Sequence, residues 1–241
     1  MSSNSTITTT ATTGRRDEGT TRRGHDRTRE SRAWALTGVA AGVAGIVGIQ
    51  ASATVDAVYD ERNQGDAVAI TERLSEQVPN LLVFHTATTL CTVLVLVFAL
   101  GLRRRLAGQT RAGSLLPDVS AAGLLLVSVA GLIGSGLDTE FIFGLAEPDR
   151  MVPESAAFYG HWVGTMNWLW LGAGVTGVAL AAAALRQAAA PRWIGWVGAV
   201  LGGLTLLLGL SPLQYMAGFT GPVMLLVVAL GFAFGDRATG R

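Results

Sequence analysis

The stretch RWIGWVGAVLGGLTLLLGLSPLQYMAGFTGPVMLLVVALGFAFGD, from Arg192 to Asp236, decides the fold, because its two end charges enclose 43 uncharged residues. As one helix this run is about 65 Å long at 1.5 Å per residue, about twice the thickness of a bilayer's hydrocarbon core. The run therefore contains two membrane-spanning helices. Their break is predicted at residues 211–214, SPLQ, because proline removes a backbone donor and disfavours helix in the residue before it.

Four earlier uncharged stretches also reach the roughly 20 residues that a transmembrane helix needs. They are residues 33–55, 77–102, 119–137 and 155–185. The sequence thus predicts an all-α, polytopic membrane bundle of six transmembrane helices over residues 33–235, the sixth interrupted at Gly221-Pro222. Composition agrees, because 15% of the residues are charged against about 25% in soluble domains.

The two ends of the chain are predicted to lie outside this bundle. Residues 1–32 are rich in Ser, Thr, Gly and Arg and nearly lack large apolar side chains, so a disordered cytoplasmic tail is expected there. Residues 236–241 form a short C-terminal tail. Residues 51–53, Ala-Ser-Ala, resemble a signal-peptidase site, but the preceding polar region is too long for a signal peptide and a retained first span is favoured.

The arginines predict the orientation, since cytoplasmic flanks of membrane spans carry the excess of positive charge. Fifteen of the eighteen arginines precede the first span, follow even-numbered spans or close the chain, whereas eleven acidic residues lie in the connections on the other side. Both termini are therefore expected on the cytoplasmic side of the membrane. We expect that membrane to be a prokaryotic plasma membrane.

Small residues four positions apart recur within the spans. Such steps let helix backbones approach closely in lipid, where apolar burial does not drive helices together. The pairs are Gly38 and Gly42, Gly131 and Ser135, Ala173 and Gly177, and Gly198 and Gly202. Each fits a homo-oligomer interface or a contact within the chain, and contacts within a six-span chain are favoured.

The connection after the first span is predicted to hold a short amphipathic helix on the outer surface. Val68, Ile70, Leu74 and Val78 recur at helical spacing and form its apolar face.

Two histidines are the candidate site, because ionisable groups at membrane depth are functional hypotheses by default. His85 lies about 9 Å below the outer end of the second span and His161 about 12 Å below that of the fourth. An inward-facing pair at similar depth is therefore expected. Helical periodicity adds these polar and aromatic neighbours: Thr88, Thr89 and Thr92 beside His85, and Thr165 and Trp168 beside His161.

Two histidines from different helices are suitable axial ligands for haem b or ligands for a divalent metal. The alternative, which we favour, is that each histidine hydrogen-bonds a neighbouring group and the protein holds no cofactor. Asp118 and Asp138 bound the third span. Proton relays use such carboxylates, but both lie within reach of the interface, so solvated or capping roles are favoured. The single cysteine, Cys91, lies in an apolar run, so no disulfide within the chain forms.

Three function classes follow. A non-enzymatic membrane protein is favoured, ahead of a haem- or metal-binding redox protein using His85 and His161, and a small-solute or proton-coupled carrier. The lipid bilayer is the expected partner. Phosphate-binding loops, nucleophile elbows and basic-aromatic nucleic-acid surfaces are absent from the sequence, so no nucleic-acid partner is expected, and no small-molecule ligand is indicated.

A family resemblance rests on four features together. They are the six short spans, the acidic segment between the first two, the arginines at 103–105, and PRWIGWVGAVLGG at 191–203. In these the chain resembles the uncharacterised six-span integral membrane proteins common in high-GC actinobacteria and also found in haloarchaea. The resemblance covers about residues 33–235 and implies no activity, cofactor or site residue.

Overall fold

The computed structural model describes the backbone of residues 20–235 and the side chains of residues 33–235. Every regular element in this part of the chain is a helix. Six candidate spans are long and apolar enough to cross a membrane: Ala33–Ala53, Val78–Ala107, Leu116–Gly144, Pro153–Gln187, Arg192–Leu210 and Gln214–Gly235. The predicted all-α fold with six transmembrane helices is confirmed by length and composition.

The α-helices within the described residues are numbered in chain order. They are α1 (Thr20–Ala53), α2 (Ala67–Glu76), α3 (Val78–Ala107), α4 (Leu116–Ser135), α5 (Asp138–Gly144), α6 (Pro153–Thr165), α7 (Leu171–Gln187), α8 (Arg192–Val197), α9 (Gly203–Leu210) and α10 (Ala217–Leu230). Short 3₁₀-helices cover Glu61–Asn63, Pro148–Arg150, Met166–Trp170 and Gln214–Met216, and π-helical turns cover Gly198–Gly202 and Gly231–Gly235.

The spans form a closed ring in chain order. Helix α1 packs against α3 and α10, α3 against α4, and α4 against α7, which also contacts the fifth span and α10. Because the fourth span touches the third, fifth and sixth, it is the most buried of the six. The bundle has two ends, which we call the acidic end, with connections 54–77 and 145–152, and the arginine end, with connections 108–115 and 188–191.

The predicted break between the last two spans is confirmed. Helix α9 ends at Leu210, and Ser211 has an extended backbone (φ −92°, ψ 170°) before Pro212. The next helical turn begins at Gln214. Proline therefore ends the fifth span where its effect on the preceding residue predicts.

The interruption predicted in the sixth span is wrong. Helix α10 runs through Gly221 and Pro222, both of which are buried. Neighbouring helices hold this turn, as Gly45 and Trp170 pack against it, and such packing lets transmembrane helices retain a proline. The sixth span has its irregular turn later, as the π-helical turn at Gly231–Gly235. The fourth span contains a 3₁₀ turn at Met166–Trp170, which includes no proline.

The small-residue pairs lie inside the bundle. A Cβ atom placed on Gly177 would lie 2.6 Å from the Gly202 Cα, and one on Gly42 would lie 2.8 Å from the Leu226 Cα. A Cβ atom on Gly38 would lie 2.8 Å from the Ala229 Cβ. These seams are contacts within the chain, as predicted, because the chain's own helices already cover them.

The first helix begins at Thr20, within the segment predicted as a tail. Once a span nucleates a helix, each added residue gains a hydrogen bond, so the helix extends beyond its apolar part. The rest of the predicted N-terminal tail, residues 1–19, and the C-terminal tail, residues 236–241, lie outside the described residues.

The predicted surface helix after the first span is α2. Asp66 caps it, as its carboxylate accepts hydrogen bonds from the backbone N–H of Val68 and Ala69. Ile70 and Leu74 are buried as predicted, whereas Val68 is 56% exposed. In the first turn of α2, the predicted apolar face is therefore not covered by the bundle.

Candidate functional site

A buried carboxylate lies where three helices meet near the acidic end. Asp138 begins α5 and its side chain is fully buried. Its Oδ2 atom lies 3.1 Å from Nδ1 of His85 on α3, and its Oδ1 accepts a hydrogen bond of 3.0 Å from the hydroxyl of Tyr159 on α6. We call these three residues the carboxylate cluster.

The role predicted for Asp138 is wrong. The residue is neither solvated nor a cap, because it follows the α5 N-cap residue, Leu137, and α5 has no side-chain capping bond. The turn through Gly136 and Leu137 between α4 and α5 directs the carboxylate into the bundle. Asp118 does take the solvated role: it forms a 2.7 Å ion pair with Arg103, and both side chains are about half exposed.

An aromatic stack holds Tyr159 in the cluster. Its ring lies parallel to that of Phe141, with 4.3 Å between ring centroids and 1° between ring planes. Phe141 belongs to α5, one turn after Asp138. The stack therefore fixes α6 against the same short helix that carries the carboxylate, and Tyr159 is fully buried.

His85 connects the cluster to the surface of the bundle. Its side chain is 31% exposed, whereas that of Asp138 is inaccessible. Two arrangements of one proton satisfy the 3.1 Å contact: the proton lies on Nδ1 with an ionised carboxylate as acceptor, or on Oδ2 with Nδ1 as acceptor. Either arrangement places one shared proton between a buried oxygen and a partly exposed ring.

The structure gives the two predicted histidines different neighbours. The ring of His161 packs edge-on against Tyr59, with 5.8 Å between centroids. His161, Thr165 and Trp168 are all exposed, so the expectation that His161 faces inward is wrong. Its helix turns that face outward because Tyr159 and Val163 occupy the buried face. Ligation of haem or metal by His85 and His161 stays a prediction.

Tyr59 belongs to the connection at the acidic end. Partial burial raises the pKa of its hydroxyl above the ordinary value, and the neighbouring Tyr215 raises it further. The phenol is therefore neutral at physiological pH. It offers the imidazole of His161 an uncharged aromatic contact.

An internal cavity lies deeper in the bundle, between α1, α3, α4 and the fourth span. Its volume is about 20 Å³, and its lining includes Thr88, Gly131, Asn167 and Trp170. Asn167 is 8% exposed and stands on the 3₁₀ turn of the fourth span. The cavity thus combines an irregular backbone turn with polar side chains.

Three residues of this region were not predicted as site residues. Asp138 ends an uncharged run and is visible in the sequence, but its burial depends on how α5 folds back. Tyr159 carries no sequence signal of its own. Asn167 is a polar residue within an apolar span, and that is a signal for a buried site.

Among the residues whose side chains are described, no group of three or more His, Cys, Asp or Glu side chains is arranged to hold a metal ion. No family model, curated protein or solved structure matches the chain. The geometry of the carboxylate cluster is therefore the basis for a functional assignment.

Proposed function

We propose that this chain is a non-enzymatic, multi-pass protein of a prokaryotic plasma membrane that binds and releases a proton at Asp138, as a proton-coupled carrier of small solutes does. The observation that carries the proposal is the fully buried Asp138 carboxylate, hydrogen-bonded to His85 and Tyr159. Carboxylates buried within membrane bundles are characteristic of proton relays and carriers.

The physical argument rests on the cost of a buried charge. An ionised carboxylate away from water is costly unless hydrogen-bond donors and a countercharge surround it. Of the described titratable groups, His85 and Tyr159 are those that interact with Asp138. Because the carboxylate shares hydrogen bonds with the His85 ring and the Tyr159 hydroxyl, a proton gained or lost by Asp138 changes both bonds.

The partial exposure of His85 supports exchange with one side of the membrane. The cluster lies near the acidic end, which the arginine asymmetry predicts to face outward. Protons therefore enter from outside the cell, and both termini lie in the cytoplasm. Proton transfer between Nδ1 and Oδ2 breaks and forms only O–H and N–H bonds, so the role requires no covalent catalysis.

Infrared difference spectroscopy of the purified protein between acidic and neutral pH tests the proposal. The wild type is expected to gain a carboxylic acid C=O band on acidification that Asp138→Asn lacks. Asp118→Asn is the matched control, because Asp118 is a half-exposed carboxylate in an ion pair; the band assigned to Asp138 should survive that change. A difference spectrum that Asp138→Asn leaves unaltered contradicts the proposal.

A second candidate function is haem or divalent-metal binding through His85 and His161. One observation favours it: a histidine that ligates a metal commonly has its other ring nitrogen hydrogen-bonded to a carboxylate, as Nδ1 of His85 is to Asp138. Absorbance and metal analysis of the purified protein test it. A Soret band or stoichiometric metal that both His85→Ala and His161→Ala remove supports this candidate.

A further inference from the structure

The internal cavity is lined by both polar and apolar side chains. Its polar lining comprises Thr88 and Thr92 of α3 and Asn167 of the fourth span; Phe84, Val127 and Trp170 are among its apolar neighbours. Thr92 is satisfied, since its hydroxyl donates to the Thr88 carbonyl over 2.7 Å. The polar groups that need a partner are therefore the Thr88 hydroxyl and the Asn167 amide.

Asn167 is the key residue, because a buried amide carries two donor hydrogens and an acceptor oxygen. Asn167 is 8% exposed as a residue, and its side chain forms no hydrogen bond with any described residue. The Thr88 hydroxyl, on a residue 9% exposed, likewise has no partner in the described part of the chain. Leaving such groups unpaired away from water is unfavourable.

We propose that this cavity is a buried hydration site, in which water hydrogen-bonds to the Asn167 amide and the Thr88 hydroxyl. A volume of about 20 Å³ exceeds the roughly 10–15 Å³ that one water molecule needs. Water also needs two to four polar partners, and these two side chains supply them. Since no acidic side chain lines the cavity, the occupant is neutral.

The hydration site adjoins the carboxylate cluster. Thr88 follows His85 by three residues on α3, which is about 4.5 Å along the helix axis. On α4, Gly131 lines the cavity and Ser135 lies one turn nearer Asp138. Water in the cavity therefore lies on the inner side of the cluster, where it extends the proton route toward the middle of the membrane. That extension rests on the proposed proton function, whereas the hydration site itself does not.

Radiolytic hydroxyl-radical footprinting tests the hydration site on the full-length protein in detergent. Radicals form from water, so a buried methionine beside water is oxidised while a buried methionine in a dry environment is spared. Met166 lines the cavity and is 1% exposed; Met224 is also 1% exposed and lies outside the cavity lining. We expect Met166 to be oxidised about tenfold faster than Met224, since oxidation follows access to the sulfur.

Two variants remove the site in different ways. Asn167→Leu deletes the hydrogen-bonding amide at similar volume. Gly48→Ala fills space instead, since its Cβ would lie 3.2 Å from the Thr88 Oγ1 and 3.8 Å from the Ala87 Cβ, a fit that needs a small shift. In both variants Met166 should be oxidised at the rate of Met224, and Gly48→Ala carries the test if Asn167→Leu does not fold.

Equal oxidation of Met166 and Met224 in the wild type overturns the proposal, because the cavity is then dry. Fast oxidation of Met166 that persists in both folded variants also overturns it, because the radicals then come from elsewhere. Asp138→Asn separates the two proposals: it should abolish the infrared band of the proton site and leave the oxidation of Met166 unchanged.

Discussion

The two halves of the bundle are held together by different interactions. Near the acidic end, side chains from α3, α5 and α6 join in the carboxylate cluster, and the Trp162 indole donates to the Gly134 carbonyl over 2.8 Å. In the half nearer the arginine end, backbones touch directly. A Cβ on Gly198 would lie 2.5 Å from the Gly177 carbonyl oxygen, and Gly177 also meets Gly202 across the fourth and fifth spans.

The half near the acidic end can respond to a change in protonation, whereas the half with the glycine contacts cannot. Backbone contact between glycines has one close-packed arrangement and no titratable group. The carboxylate cluster is stabilised by hydrogen bonds whose strength depends on where a proton lies. We therefore assign function to the acidic end and stability to the glycine seam. Four predictions test this division, from the largest effect to the smallest.

The first prediction concerns which side of the membrane each end faces. A cysteine replacing exposed Gln64 at the acidic end should be labelled by a membrane-impermeant maleimide in intact cells. A cysteine replacing exposed Gly108 at the arginine end should react only after permeabilisation. The wild type is the control, because Cys91 is 5% exposed and should stay unlabelled. The reverse pattern would invert the orientation and with it the proposed direction of proton entry.

The second prediction tests the glycine seam. Gly202→Leu should reduce the free energy of unfolding by about 3 kcal/mol or more, the upper range for overpacking, because a Cβ there would lie 2.6 Å from the Gly177 Cα. Gly203→Leu is the matched control, since its Cβ would meet nothing within 4 Å. The monodisperse fraction in detergent and the Tm measure both variants. If the two lose equal stability, the seam does not stabilise this half.

The third prediction tests the carboxylate cluster. Asp138→Ala should lower the free energy of unfolding by about 2 kcal/mol, because it leaves the buried Tyr159 hydroxyl without its acceptor. Asp118→Ala should change it by less than about 0.5 kcal/mol, since that ion pair with Arg103 is half exposed. Thermal unfolding in detergent compares them. Equal Tm values for the two variants would show that the buried Asp138 carboxylate stabilises the bundle no more than the surface Asp118 carboxylate does.

The fourth prediction isolates one hydroxyl. Tyr159→Phe keeps the stack on Phe141 and removes one hydrogen bond, for an expected loss of about 1 kcal/mol. Tyr59→Phe should leave the free energy of unfolding unchanged. The Tyr59 hydroxyl forms no hydrogen bond with the described residues, and the residue is 53% exposed. The same unfolding measurement applies, and a larger loss in Tyr59→Phe would mean that the connection supports the bundle more than the cluster does.

Much of the fold was predictable because each span is a local property of the chain. The break at Ser211-Pro212 followed from the backbone chemistry of proline, and the helix ends at Leu210 as predicted. The same chemistry failed at Pro222, where packing from Gly45 and Trp170 maintains the helix. Local rules thus predicted helix ends outside the bundle and failed where neighbouring spans compensate.

The site was less predictable than the fold. His85 was identified from its depth, but its partner is Asp138, 53 residues away, and not His161. Depth along a helix says how far a residue lies from the surface and nothing about which face it presents. Asp138 was expected to be solvent-exposed because it ends an uncharged run, yet the fold of α5 buries its side chain completely.

The sequence by itself determined the number of spans, the break between the last two and the separation of acidic and basic ends, because hydropathy and charge sum residue by residue along one chain. The tertiary structure alone decided that Asp138 is buried, that it meets His85 and Tyr159, and that Asn167 lines a cavity. The physical reason is that a side chain's environment is set by helices distant in sequence. Their rotation about their own axes depends on the packing of the whole bundle.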